Sequence, residues 1–222
     1  MQKLEGIIFD FDGVAYKYRP DFNAVCSSAA ARAAIACGVP GVFEQLVADF
    51  TAARDPHSFT KRWQAEHGLD PLAYHHAYHD GIDVAASIDA RQEATAVFAE
   101  LAERKVPMII LTHGSQPWVK RVGAHIDMIR HFADEHIIAL EHTNWTKKPD
   151  SPAPFLLAAA RLGIAPDRLG MVEDSSGNLH HAHSLGMATG YLHYEKPLAP
   201  KPAHVHVQGS SLQSVVRQFG FL

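Results

Sequence analysis

"EGIIFDFDGVAY", residues 5–16, decides how this chain is read. Ile7, Ile8 and Phe9 lead directly into Asp10, and Phe11, Asp12 and Gly13 follow. A short apolar run bounded by polar residues and glycine reads as a buried β-strand. This one ends in two carboxylates placed two residues apart. Like charges held that close cost energy unless a cation or a proton lies between them. A plain alternative is a solvated strand end that turns at Gly13. Residues i and i+2 of a strand point to the same side, so Asp10 and Asp12 are expected to reach one ligand.

Working outward, short apolar runs recur with helical stretches between them. They are "GIIFD" (6–10), "PMIILT" (107–112), "HIIAL" (136–140), "LGMVE" (169–173), "MATGYL" (187–192) and "AHVHV" (203–207). Such alternation predicts a doubly wound, Rossmann-like parallel sheet with helices on both faces. Between Asp10 and Pro107 no comparable strand is evident. Residues 17–86 read instead as helices: "FNAVCSSAAARAAIACG", "GVFEQLVADFTAAR", "SFTKRWQAEHG" and "PLAYHHAYHDG". Breaks fall at residues 38–41, at Asp55-Pro56, at Gly68 and at Asp80-Gly81. The expected organisation is an α/β core of residues 1–16 and 87–222, with a helical domain of residues 17–86 inserted after the first strand. The Pro-rich "KPLAPKPAH" (196–204) reads as a loop between late strands.

The bulk properties narrow the function. The 222 residues are 47% hydrophobic and 20% charged, which is ordinary for a soluble globular protein with a real core. A net charge of −4 gives no reason to expect a nucleic-acid or anionic-membrane partner. No apolar run approaches the ~18 residues of a membrane span, and the start shows no signal-peptide pattern. Cys26 and Cys37 lie in one predicted helix, about 16 Å apart along its axis, too far for a disulfide. Two unpaired thiols suit a reducing compartment, so the cytoplasm is the expected location.

In an open parallel sheet, ligands bind at the carboxyl ends of the strands, near a switch in strand order. Here those ends carry Asp10 and Asp12, then Thr112 with His113 and Gly114, then Glu173 and Asp174. "KKPDSPAPF" (147–155) adds a dibasic pair. Clustered carboxylates suit a hard divalent cation, most plausibly Mg2+, which also takes a phosphate oxygen. A carboxylate can accept a phosphoryl group, and a second can act as acid and then base. Little else is required beyond aim and charge neutralisation.

The sequence resembles the haloacid dehalogenase-like superfamily in its phosphatase branch. "DFDGVAY" resembles the first motif, which implies Asp10 as nucleophile and Asp12 as acid/base. "IILTHGS" resembles the second, so Thr112 would bind the phosphoryl group, with His113 and Gly114 beside it. "KKPDSPAPF" resembles the third, where Lys148 is the match. "MVEDSSGNLHHAHSLGM" resembles the fourth. The resemblance implies Mg2+ held by Asp10, by the backbone carbonyl of Asp12 and by Asp174, with Glu173 as an alternate or supporting ligand. The insertion stands where this superfamily places a mobile cap. The dehalogenases lack an aspartate at the position of Asp12, which argues against carbon–halogen chemistry.

The resemblance implies a small phosphorylated metabolite as substrate and phosphomonoester hydrolysis as reaction. "DFDGVAY", "LTHGSQPWVKRV" and "KPDSPAPF" look most like pyrimidine 5′-nucleotidase-type members. Phosphoglycolate and sugar phosphatases come next, and a phosphomutase is compatible. A receiver-like phosphate relay is the alternative from another class. It also uses Asp, Thr and Lys-Pro around Mg2+, but is near half this length, and the candidate nucleophile on the first strand with a partner two residues on, followed by an insertion of roughly 70 residues, counts against it. His75 and His79 have the i, i+4 spacing of a zinc pair, yet no third ligand is evident, so a surface or cap-edge role is expected. Phe59, Trp63 and Tyr74 read as core of the insertion.

Overall fold

The computed structural model describes residues 3–53, 57–194 and 200–222. The expected break at Asp55-Pro56 and the stretch 196–199 lie outside them. The chain divides into two compact units, Met1–Lys17 with Ala90–Leu222, and Tyr18–Asp89.

The chain begins with β1 (Gly6–Phe9) and β2 (Tyr16–Tyr18). Five helices follow: α1 (Phe22–Ala36), α2 (Phe43–Ala52), α3 (His57–His67), α4 (Pro71–Asp80) and the single turn α5 (Val84–Ser87). Then come β3 (Ile88–Ala90), α6 (Gln92–Glu103), β4 (Met108–Leu111), α7 (Gln116–His125) and β5 (Ile137–Ile138). The chain closes with α8 (Ala153–Leu162), β6 (Leu169–Glu173), α9 (His180–Ser184), β7 (Ala188–Leu192), β8 (Val207–Gly209) and α10 (Leu212–Gln218).

Six strands form one sheet in the order β5-β4-β1-β6-β7-β8, with every pair parallel. The α/β, doubly wound architecture read from the alternation is therefore what forms. Every residue of β1, β4 and β6 is buried, as a sheet covered on both faces requires. Adjacent residues of β1 show the two layers. Ile8 packs in a cluster with Phe155 of α8, whereas Phe9 meets Phe98 of α6 edge to face at 5.0 Å. The strand order reverses at β1: β4 and β5 lie to one side, β6, β7 and β8 to the other. Phe9 is in register with both Ile110 and Val172, so the residues just past these three strands emerge side by side.

The unit Tyr18–Asp89 has its own core. Small alanines of α1 (Ala30, Ala31, Ala33, Ala34) admit Leu46 and Phe50 of α2. Trp63 is buried against Phe50, Phe59 and Tyr74, with ring centroids 5.3–5.8 Å apart. Asp70 caps α4 by accepting the Leu72 N–H at 2.9 Å, with Pro71 at the first helical position.

Three expectations are corrected. A two-stranded pairing of β2 with β3 stands where the sequence showed no strand. Each member is three residues long, too short to display alternation. The last strand begins at Val207 and not at residue 203. Val205 N–H closes a turn on the Pro202 carbonyl, and the His206 ring accepts the Thr189 N–H at 3.1 Å, so this stretch is spent on a turn and a brace. His75 and His79 are buried, not at a surface or edge: their rings lie 4.6 Å apart on one face of α4, and His79 Nδ1 bonds the His75 carbonyl at 2.9 Å. That bond serves His79 Nδ1 within a single helical turn.

Replacing Trp63 with alanine removes the ring that joins three helices. The expected loss is about 3–5 kcal/mol, read from denaturant unfolding; a loss below about 1 kcal/mol would show that the ring is not part of this core.

Candidate active site

The site grows from the register just described. Asp10 follows the last residue of β1, and its backbone N–H continues the ladder by donating to the Val172 carbonyl of β6 at 2.9 Å. Thr112 leaves β4 in the same way, donating to the Ile138 carbonyl at 2.9 Å. Glu173 is the last residue of β6. Three parallel strands thus deliver a carboxylate, a hydroxyl and a second carboxylate to one edge.

Lys148 enters this edge from the loop before α8. It is 1% exposed, and its three donors are all engaged. The ammonium lies 2.6 Å from Asp10 Oδ1, 3.1 Å from Glu173 Oε1 and 3.3 Å from the Leu111 carbonyl. Neighbouring Lys147 is half-buried. Glu173 is fully buried and uses both oxygens. Oε2 accepts the Asp174 N–H at 2.8 Å, and Oε1 also accepts from Asn178 Nδ2. Asn178 thereby supports Glu173.

The charges push one another in definite directions. Burial opposes the charged form of Lys148, but Asp10 and Glu173 outweigh it and raise its pKa. Burial also opposes the Glu173 carboxylate, yet the Lys148 charge and several hydrogen bonds hold its pKa below the usual value. Asp10 goes the other way. Burial and then the Glu173 charge raise it well above the ordinary carboxylate range, although Lys148 pulls it down. One ammonium does not balance three carboxylates.

Asp10, Glu173 and Asp174 each place an oxygen so that all lie within 4.8 Å of one another. An all-oxygen donor set with surplus negative charge fits a hard divalent cation such as Mg2+. Gly13 is needed beside it. It sits at φ +83°, and a Cβ there would fall 2.6 Å from Asp174 Oδ2.

Asp12 does not share this cluster through its side chain. The strand alternation expected to aim both aspartates alike stops at Phe9. Residues 11–15 form a helical turn closed by Ala15 N–H on the Phe11 carbonyl, at 3.0 Å. Within that turn Asp12 faces Thr112, Tyr16 and Trp118. Thr112 Oγ1 donates to Asp12 Oδ2 at 2.7 Å and accepts the Gly114 N–H at 2.9 Å. Trp118 Nε1 donates to Asp12 Oδ1 at 2.9 Å, and the Tyr16 hydroxyl donates to the same oxygen. Gly114 allows the packing: a Cβ there would lie 2.9 Å from the Trp118 ring and 3.2 Å from Asp12 Oδ2. His113 is turned to the backbone, where its Nε2 accepts the Lys148 N–H at 3.0 Å.

Tyr16 and Trp118 were not singled out as site residues in the sequence. Tyr16 carries a signal in retrospect, being four residues after Asp12 in a glycine-started turn. Trp118 is placed by the helix cap of Ser115, whose Oγ accepts the Trp118 N–H, and nothing in the local pattern marks it.

The chain is similar in sequence and in fold to known proteins. A phosphoglycolate phosphatase of Pectobacterium atrosepticum is 26% identical over 209 residues, covering 85% of this chain and 82% of that protein. An N-acetylmuramic acid 6-phosphate phosphatase of Pseudomonas aeruginosa is 25% identical over 228 residues, covering 91% and 88%. Among solved structures, a HAD phosphatase from Thermococcus onnurineus superposes with a TM-score of 0.67 over 98% of both chains, at 18% identity. The family described as haloacid dehalogenase-like hydrolase matches residues 4–183, a span that takes in every group brought together at the strand ends. The chain belongs to the haloacid dehalogenase-like hydrolases.

Proposed function

We propose that this protein is a Mg2+-dependent phosphatase that hydrolyses a small phosphomonoester through an aspartyl-phosphate on Asp10. The observation that carries the reading is the pairing of two differently held aspartates. Asp10 is buried on Lys148 at 2.6 Å, while Asp12 is held apart from that charge cluster by hydroxyl and indole donors. One carboxylate is thereby set for phosphorus and the other for protons.

In the first step an oxygen of Asp10 attacks phosphorus. The bond from phosphorus to the leaving oxygen breaks, and Asp12 gives that oxygen its proton. In the second, water attacks the phosphoryl group on Asp10, Asp12 takes the proton from water, and inorganic phosphate leaves. Lys148 offsets charge on Asp10 and on the phosphoryl oxygens, and the Thr112 hydroxyl and Gly114 region receive those oxygens. Mg2+, held by Asp10, Asp174 and the Asp12 backbone carbonyl, with Glu173 in support, would supply further neutralisation of the phosphoryl group.

The helical unit Tyr18–Asp89 is read as the cap, the natural seat of substrate selection. The names of the two curated relatives favour phosphoglycolate-like or sugar phosphates. The nucleotide reading rests on the resemblance of residues 10–16, 111–122 and 148–155 to pyrimidine 5′-nucleotidase-type members. Among the described residues Cys26 and Cys37 form no disulfide, in keeping with a reducing, cytoplasmic setting, and no described helix is long and apolar enough to cross a membrane. A screen of phosphate release across phosphoglycolate, sugar phosphates and nucleotides tests the substrate class. Turnover beyond one equivalent separates an enzyme from a receiver-like relay.

Exhaustive chelation should abolish turnover and Mg2+ should restore it; full activity after metal removal would sink the assignment. Lys148→Ala should lower the rate by about 10²–10³, whereas Lys147→Ala should be mild, because only the former loses an aimed cation. The opposite ranking would place the third motif one residue away. Asp12→Asn should separate the two steps. With p-nitrophenyl phosphate, whose leaving group needs no acid, it should give a burst of up to one equivalent and then slow release. Intact mass after acid quench should show a phosphoryl adduct. Continuous release with no adduct at any time would instead favour direct attack by water.

A further inference from the structure

The two oxygens of Asp12 have unlike neighbours. Oδ1 meets the Trp118 indole N–H at 2.9 Å and the Tyr16 hydroxyl, and these donors also lie 3.3 Å from each other. Oδ2 meets Thr112 Oγ1 at 2.7 Å. The difference lies in how far each donor can move. An indole N–H donates and never accepts, so it cannot turn to suit a protonated partner. Trp118 is 2% exposed on the first turn of α7, a turn capped by Ser115. Tyr16 is fully buried, with Phe11 and Trp118 against its ring at centroid distances of 5.5 and 6.5 Å. Its backbone carbonyl is held as well, accepting from Arg91 Nε at 3.3 Å. Neither ring has room to swing. Thr112 presents a hydroxyl, which can rotate between donating to Oδ2, accepting from it and donating to a phosphoryl oxygen.

We infer that Tyr16 and Trp118 are positioning residues that anchor Oδ1 of Asp12 and so leave Oδ2 as the oxygen that faces the reaction. The inference rests on the acid/base role proposed for Asp12. A proton on Oδ1 would oppose the fixed indole N–H. A proton on Oδ2 needs only a turn of the Thr112 hydroxyl. In the first step the proton passes from Oδ2 to the leaving oxygen as the Asp10–phosphorus bond forms and the phosphorus–oxygen bond breaks. In the second, Oδ2 takes a proton from the attacking water. Thr112 thereby links the two aspartates: its hydroxyl can turn to the phosphoryl group as Oδ2 becomes protonated. A carboxylate without the anchor would rotate about its Cβ–Cγ bond and spend part of its time misaimed.

The test uses Tyr16→Phe and Trp118→Phe in the full chain with Mg2+, assayed on an alkyl phosphomonoester and on p-nitrophenyl phosphate. The ratio kcat/KM reports events up to departure of the leaving group, where the alkyl substrate needs the acid and the nitrophenyl substrate does not. Each variant should lower kcat/KM for the alkyl substrate by about 10-fold to 100-fold, the scale of a misplaced catalytic group. The nitrophenyl value should fall less than about threefold, and the inhibition constant for inorganic phosphate should stay within about twofold. Tyr16→Phe deletes one oxygen and keeps the ring, so thermal unfolding should place it near the parent and separate aim from folding. Equal losses on both substrates, or no loss on either, overturn the inference. Asp12→Asn on the same pair is the control. If its own effect is independent of the leaving group, the acid/base reading fails and takes the inference with it. If Asp12→Asn discriminates and the ring variants do not, the inference alone fails.

Discussion

An ammonium buried to 1% exposure between two carboxylates and a carbonyl sets what the rest of the molecule must satisfy. Taking Lys148, Asp10 and Glu173 out of water is costly for each ion, and the cost is met only where partners stand within hydrogen-bond reach on every side. Here they do. The three donors of Lys148 find Asp10, Glu173 and the Leu111 carbonyl, and Glu173 takes further bonds from Asp174 and Asn178. Those partners come from the ends of β1, β4 and β6, so the cluster exists only if the three strands are adjacent, parallel and in register. Strand order and electrostatics are in this sense one requirement. Burial and then the Glu173 charge push the Asp10 pKa up against the pull of Lys148.

Asp12 obeys a different logic. Its partners are neutral donors, and the surrounding surface is aromatic. Two aspartates separated by one phenylalanine therefore differ because β1 stops at Phe9 and a helical turn takes over. A single change of backbone period assigns them to separate environments.

That change explains what could be read in advance. The apolar runs at 6–10, 107–112 and 169–173 announced buried strands because parallel strands covered on both faces need no polar residues. The strand-end carboxylates stood out because charge does not belong there without a reason. Short pieces escaped notice. The three-residue β2 and β3 carry no period, and the stretch 203–206 looked like strand although His206 is used as a brace. The partners of Asp12 escaped for another reason. Trp118 is brought to it across 106 residues by the packing of α7, and sequence spacing holds no trace of such a contact. The buried pair His75 and His79 misled in the opposite sense: the want of a third ligand suggested a surface or cap edge, whereas both rings are buried on one face of α4.

β1 precedes the other strands of its sheet along the chain and lies in the middle of the finished sheet, with β4 on one side and β6 on the other. Its neighbours leave the ribosome long after it does. The segment Tyr18–Asp89 is contiguous and can collapse on its own core in the interval, because its contacts close short loops. β1 and its Asp10 must wait without a sheet until Val172 is available. An aspartate so placed is among the last features of the sheet to find its partners, and a truncated product ending before β6 carries the residue but has nowhere to put it.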